Sequence, residues 1–200
     1  MSLREKKKIE TKNKIFAVSG KLFKEKGFEN TTVDEITKEA GIAKGTFFNY
    51  FPTKEALLLY FGEQKDELIY NLIENETIKS IPTKEKIKNL LVFLAESYEK
   101  DKELTKLLIH EYRRYIGYSG LRLGDNKSRS HRLSKILHDL LEEGVKKREV
   151  KSHIEVKKAA EILTAVYVHS LMVWVNTDGD FYFSRDISGK IDLLFEGIGD

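Results

Sequence analysis

The chain has 200 residues, 40% hydrophobic and 34% charged, with 35 Lys+Arg against 32 Asp+Glu, a net charge of +3 and no cysteine. That length suits one domain or two small ones with an ordinary soluble composition, and the lack of cysteine excludes disulfides, thiol catalysis and the common zinc frameworks. No apolar run reaches the roughly 18 residues of a membrane span and Met1 to Thr11 is too polar for a signal peptide, so a cytoplasmic location is expected.

The basic charge is gathered at the start. Residues 1–54 hold 12 Lys+Arg against 7 Asp+Glu, and the remainder 23 against 25, the asymmetry of a polyanion-binding head on a separate body, although a lysine-rich solvated surface gives a difference of the same size. Residues 2–26 read as a flexible basic arm, carrying Arg4, Lys6, Lys7 and Lys8, that runs into a helix. In it Ile9, Phe16 and Phe23 recur at i, i+7 and i+14 beside Ile15 and Leu22, which makes one core face. The arm can lie along a phosphate backbone or a groove, or do nothing. Gly27 closes the helix and Phe28 packs back beneath the turn.

Thr32 and Glu35 form a capping-box pattern, so a second helix starts at Val33. Val33, Ile36 and Ala40 make its buried stripe, and Gly41 stops it. The third helix, from Ala43 or Lys44, is short because Pro52 biases Phe51 away from the α region. Phe47 and Phe51 point one way with Phe48 at their border, while Gly45, Thr46, Asn49 and Tyr50 share the opposite side and Lys44 leads it. Small polar groups, an amine and a glycine that admits close approach are what docks a helix into a major groove. Thr53 then caps a helix whose first residue is Lys54, and a lysine at a helix N-terminus is a phosphate clamp.

The run TTVDEITKEAGIAKGTFFNYFPTKEALL resembles the helix-turn-helix signature of the TetR family of bacterial transcriptional regulators, of the AcrR-like kind. The third-helix run G-T-F-F-N-Y-F followed by T-K-E-A-L-L is its more specific part. The motif covers about a quarter of the chain; beyond it the resemblance is one of length, helical pattern and domain order. It implies an all-α fold of about nine helices: an N-terminal three-helix helix-turn-helix DNA-binding domain over 1–54, and a helical ligand-binding and dimerisation domain over 55–200. One departure stands out, since the position of Phe48 is usually a tyrosine whose hydroxyl bonds a phosphate in this family, a role Phe48 lacks the hydroxyl to fill.

After Lys54 one long helix carries Leu57, Phe61, Leu68, Leu72 and Ile73 at helical spacing and ends at Pro82; Thr83 caps the next, through about Tyr98. Asp101 caps another, ELTKLLIHEYRRYIG, which the glycines begin to break. Gly117 to Lys127, with three glycines and no period, reads as a connection rather than a lid. A helix from about Ser128 to Arg148 has Leu133, Ile136, Leu137, Leu140, Leu141 and Val145 as its stripe. Within Ile154 to Val175 the run ILTAVYVHSLMVWV, from Ile162 onward, is apolar on every side except for Thr164, His169 and Ser170, which implies its own core on one face and a second copy of the chain on the other. Ser184 caps a last helix with Ile187, Ile191, Leu194, Phe195 and Ile198 along one side. The resemblance also implies a homodimer through these last two helices.

Nothing in the chain resembles an active site. HEYRR lacks the second histidine of a zinc-protease helix, and DGDFYFSRD has Phe183 and Gly189 where a calcium loop needs glycine and glutamate. No metal or cofactor is expected. The resemblance implies a small effector in the helical body, and an apolar or aromatic one fits a lining drawn from Phe93, Tyr98, His110, Tyr112, Tyr167 and Trp174, residues that equally serve as ordinary core. The expected function is a dimeric transcriptional repressor, not an enzyme, that binds an inverted-repeat operator in double-stranded DNA and is released by the effector. Lys44, Gly45 and Thr46 would read or lie against bases, Asn49 would do either, and Thr32, Tyr50 and Lys54 would hold phosphates. Two rivals are a helical module docking on a protein or acidic membrane, which would show large apolar residues where Gly45, Thr46 and Asn49 stand, and a helical enzyme using His110, for which no nucleophile or paired acids exist.

Overall fold

A computed structural model describes residues 2–73, 80–119, 129–178 and 181–197. Every regular element among them is an α-helix: α1 Leu3–Lys26, α2 Val33–Ala40, α3 Lys44–Tyr50, α4 Ala56–Ile73, α5 Thr83–Glu99, α6 Lys102–Ser119, α7 Arg129–Lys146, α8 Val156–Asn176 and α9 Phe183–Glu196. The all-α expectation holds. The chain forms two compact units, Met1–Gly62 with Glu103–Gly120, and Glu63–Lys102 with Leu121–Asp200.

In the first unit α1 starts earlier than the sequence reading has it. The arm is helical from Leu3, because the Ser2 hydroxyl accepts from the Glu5 N–H and the Glu5 carboxylate accepts from the Ser2 N–H at 2.7 Å, a capping box that satisfies two end donors. Ile9 is exposed in this extension rather than core, whereas Ile15, Leu22 and Phe23 are buried as expected. α2 packs on both α1 and α3. The turn after α2 is made by Gly41 in the left-handed region, φ 62° and ψ 40°, a conformation that a Cβ disfavours. Aromatic side chains fill the head: Phe23 lies 4.9 Å from Phe28, Phe47 5.8 Å from Phe51, and Tyr60 5.3 Å from Phe51 and 5.6 Å from Phe16. Phe23, Phe47 and Phe51 are almost wholly buried, and each contributes roughly 1.5–3 kcal/mol. α6 joins this unit: Leu104 packs where a Cβ on Gly20 would stand, and Arg114 pairs with Glu29 in the α1–α2 turn.

In the second unit α5 packs on α7, α7 on α8, α8 on α9 and α9 on α5, so four helices close a ring around Leu91, Leu94, Leu137, Leu141, Leu163, Trp174, Ile187 and Ile191. Two of its helix starts are capped from a distance rather than by their own hydroxyls. Thr83 does not cap α5: its N–H and hydroxyl both donate to the Glu149 carboxylate at 2.7 Å. Ser184 does not cap α9 either, and its N–H donates to Glu99 at 3.0 Å. Lys86, almost fully buried, ends on Glu143 at 2.9 Å, the arrangement a buried ammonium requires.

Other boundaries move by a residue or two. α4 begins at Ala56, not Lys54, with Thr53 Oγ1 accepting from the Ala56 N–H at 3.3 Å, and Ser80 and Ile81 are turn and bend. α6 continues past Gly117 to Ser119. The rest of the expected 117–127 connection, the final turn of the long fourth helix over 74–79, and Ile198 lie outside the described residues. α8 is long and apolar enough by composition to cross a membrane, yet Leu163, Tyr167, Leu171 and Trp174 are buried on its inner side.

Candidate nucleic-acid interface

α3 lies between a turn built on Gly41 and a stop at Phe51, whose φ of −134° and ψ of 105° leave the helix before Pro52. Its seven residues sort cleanly: Phe47 is fully buried, Thr46 and Tyr50 are half-buried, and Lys44, Gly45, Phe48 and Asn49 are exposed. At about 100° per residue, Lys44, Phe48, Gly45 and Asn49 follow one another around an arc of about 140°. This corrects the face read from the sequence. Phe48 belongs inside the outward arc, and Thr46 and Tyr50 stand at its far edge. Gly45 has open space where a Cβ would be, so the backbone there is accessible to a close ligand.

Several of the charged or hydroxyl groups assigned to DNA are already engaged within the head. The Lys44 ammonium pairs with Asp34 on α2 at 2.7 Å, both side chains being exposed. The Thr32 hydroxyl accepts from the Glu35 N–H and donates to the Glu35 carboxylate, to which the Thr32 N–H also donates. Glu35 in turn meets Lys26 at 2.6 Å. The Lys26 hydrogen bond, and then those from the Thr32 N–H and hydroxyl, pull the Glu35 carboxyl down to about 2.

Lys54, assigned to a phosphate, occupies a different place. Its ammonium donates to the carbonyls of Phe28 at 2.6 Å, Thr31 at 3.0 Å and Glu29 at 3.3 Å, and lies 4.4 Å from the Phe28 ring centroid. An ammonium has three donors, and three carbonyls of the α1–α2 turn take them. The side chain therefore ties the start of α4 to the turn that precedes α2, with α3 held between. The sequence reading missed this role because nothing local connects Lys54 to residues 28–31.

The six residues proposed for an effector fall into two groups. Tyr98, Tyr167 and Trp174 are buried and Phe93 half-buried in the second unit, while His110, exposed, and Tyr112, half-buried, belong to the first. Tyr167 and Trp174 meet on Phe183, at 5.1 and 6.0 Å between ring centroids, and the Lys102 ammonium lies 5.5 Å from the Trp174 ring centroid.

Comparison with known proteins agrees with this head. Residues 15–61 match the profile of bacterial regulatory proteins, tetR family. The HTH-type transcriptional regulator YerO of Bacillus subtilis is 38% identical over 104 residues, which are 51% of this chain and 36% of YerO. YuxN of the same organism is 33% identical over 109 residues and is also covered to 36%, so the chain spans about a third of the length of these two relatives. The fatty acid metabolism regulator protein of B. subtilis is 25% identical over 174 residues, 87% of this chain and 88% of its own. Among solved structures, FadR from B. subtilis in complex with stearoyl-CoA superposes with a TM-score of 0.68 at 23% identity, covering 93% of this chain and 98% of that one. FadR from Thermus thermophilus in complex with lauroyl-CoA gives 0.67 at 24%, covering 94% and 95%. The helix-turn-helix geometry and the tetR-family profile agree over residues 15–61, which form a helix-turn-helix domain of that family, and the chain shares the all-helical fold of the solved structures.

Proposed function

We propose that this chain is a cytoplasmic transcriptional repressor that binds an inverted-repeat operator as a homodimer and lets go when an apolar effector enters its helical body. The observation that carries the reading is the exposed arc of α3, in which Lys44, Gly45 and Asn49 surround one phenyl ring, Phe48, on a three-helix frame. Lys44, Gly45 and Thr46 meet base edges, Asn49 a base or phosphate, and Thr32 and Tyr50 the backbone; Lys54 acts through the turn it holds.

The dimer reading draws on α8 and α9. Ile162, Val168 and Val173 are 53%, 37% and 38% exposed along one side of α8, and Tyr182 and Leu193 are 58% and 51% exposed on or beside α9, where Gly189 is open to a close neighbour. A second copy turned by a two-fold axis would cover both faces and build a four-helix interface. It would also set two α3 helices roughly 34 Å apart, one turn of DNA, and an effector that favours another body conformation would break that spacing. The relatives crystallised with stearoyl-CoA and lauroyl-CoA make a long-chain acyl thioester the effector class to try first.

Purified protein mixed with sheared DNA of its own genome at moderate salt should retain fragments that share an inverted repeat, and stearoyl-CoA should release them where CoA alone does not. Retention of random DNA that vanishes as salt rises would reduce the head to a basic surface. Fragments that neither compound releases would remove acyl thioesters from the reading.

A further inference from the structure

Phe48 has no part in the assignments above, although it lies inside the outward arc of α3 with 45% of its surface exposed. Its ring is oriented from below: Phe47, fully buried, meets it edge-on at 5.5 Å and 87°. Around the helix it stands between Lys44 and Gly45, near the middle of the arc rather than at its rim, and the missing Cβ of Gly45 leaves space on one side. A phenyl ring has no donor or acceptor, so the contacts open to it are apolar. At the base edges of a major groove the apolar group on offer is the 5-methyl of thymine; sugar carbons lie outside, with the backbone, and carry no sequence information.

We infer that Phe48 is a specificity-determining residue that packs on a thymine methyl group in each operator half-site. The inference rests on the DNA-binding reading above and extends it by naming a base. It makes this head read one base pair by apolar contact, beside the polar readers Lys44 and Asn49.

The test uses the full chain and a random-sequence duplex library. The selected duplex is resynthesised with deoxyuridine replacing one thymine at a time, which removes the methyl and leaves the hydrogen-bonding edge intact. One position per half-site should weaken binding about four-fold on substitution, the worth of one buried carbon. Phe48→Ala should bind the thymine duplex more weakly and be indifferent to the swap, while Phe48→Leu, which keeps an apolar side chain, should retain part of the sensitivity. Circular dichroism confirms that both variants are folded, as expected for a side chain this exposed. A shared selected sequence with no methyl-sensitive position, or Phe48→Ala and deoxyuridine effects that simply multiply, overturns the assignment alone. A library that returns no shared sequence overturns the DNA-binding reading and this inference with it.

Discussion

Replacing Lys54 by methionine keeps the aliphatic stem and removes the three N–H donors, so it isolates what the ammonium does. Two of the carbonyls it reaches, those of Phe28 and Thr31, are bonded in partly buried surroundings and that of Glu29 in exposed ones. At about 1 kcal/mol net for each partly buried bond and little for the exposed one, the hydrogen bonds account for roughly 2 kcal/mol. The ammonium over the Phe28 ring at 4.4 Å adds about 0.5–1 kcal/mol. A loss of about 2–3 kcal/mol lowers the melting temperature of the first unit, Met1–Gly62 with Glu103–Gly120, by roughly 8–24 °C.

The assay can locate the damage. The single tryptophan of the chain, Trp174, is 1% exposed in the second unit, so its fluorescence reports that unit, while far-ultraviolet circular dichroism reports both. Lys54→Met should lose part of its helical signal early, ahead of an unchanged Trp174 transition. If both transitions instead stay where they are in the parent, while DNA binding weakens for every sequence and the salt slope drops by about one, Lys54 holds a phosphate and the turn-clamp argument is refuted.

Three further outcomes follow from the same geometry. Glu35, held down to about 2 from an ordinary 4.5, contributes stability that is complete above the ordinary value and drains away as pH falls toward 2. Thermal melts of Glu35→Gln should therefore show a shallower fall over that interval than the parent, with the difference shrinking in high salt because the pair is exposed, and equal slopes would count against the Lys26–Glu35–Thr32 network. At Gly144 a Cβ would stand 2.7 Å from Val150 Cγ2 and 2.8 Å from Thr83 Oγ1, and Thr83 is fixed by Glu149. The overpacking of about 1–3 kcal/mol should then outweigh the roughly 1 kcal/mol gained in helix propensity, and a raised Trp174 melting temperature in Gly144→Ala would show that the α5–α7 contact yields. Ile162→Glu puts a carboxylate on the exposed apolar face of α8, where burial against a second copy would leave it unpaired; sedimentation should find a dimer for the parent and a monomer for the variant, and a dimer in both would move the interface elsewhere.

What could be read from the sequence followed how far apart the deciding residues lie. Thr32 with Glu35, Gly41 and Pro52 each act on their immediate neighbours, and the limits of α2 and α3 come out where those residues put them. Ser2 with Glu5 carries the same capping signature, but the run of lysines after it masks it, and the arm looks flexible when it is the first turn of α1. The starts of α5 and α9 fall within a residue or two of the expected ones, but their caps, Glu149 and Glu99, are beyond local reading, 66 and 85 residues away in the chain. The Thr83 hydroxyl is the right signal for a cap and here acts as a donor instead, and at Ser184 the backbone N–H, not the hydroxyl, meets the distant carboxylate. Phe48 reads as a border residue of the Phe47 and Phe51 side because it is apolar, whereas its angular position, about 40° from Lys44, puts it inside the outward arc. Lys54 is the opposite case, in which no periodicity or motif could bring it to the carbonyls of residues 28–31.

Five cations of the first unit are engaged with their own neighbours: Lys21 with Glu39, Lys26 with Glu35, Lys44 with Asp34, Arg114 with Glu29, and Lys54 with three carbonyls. A phosphate can recruit one of these groups only by exchange, giving a new ion pair for an old one, so the gain per contact is smaller than a bare count of lysines implies. The exchange is worthwhile where several phosphates present themselves in the right places at once, as on a correctly docked duplex. What α3 presents without breaking an ion pair is uncharged: Phe48, Gly45 and Asn49. If α3 enters a major groove as proposed, exchange at these five groups limits the sequence-independent gain they supply, and base contacts carry a larger share of the discrimination.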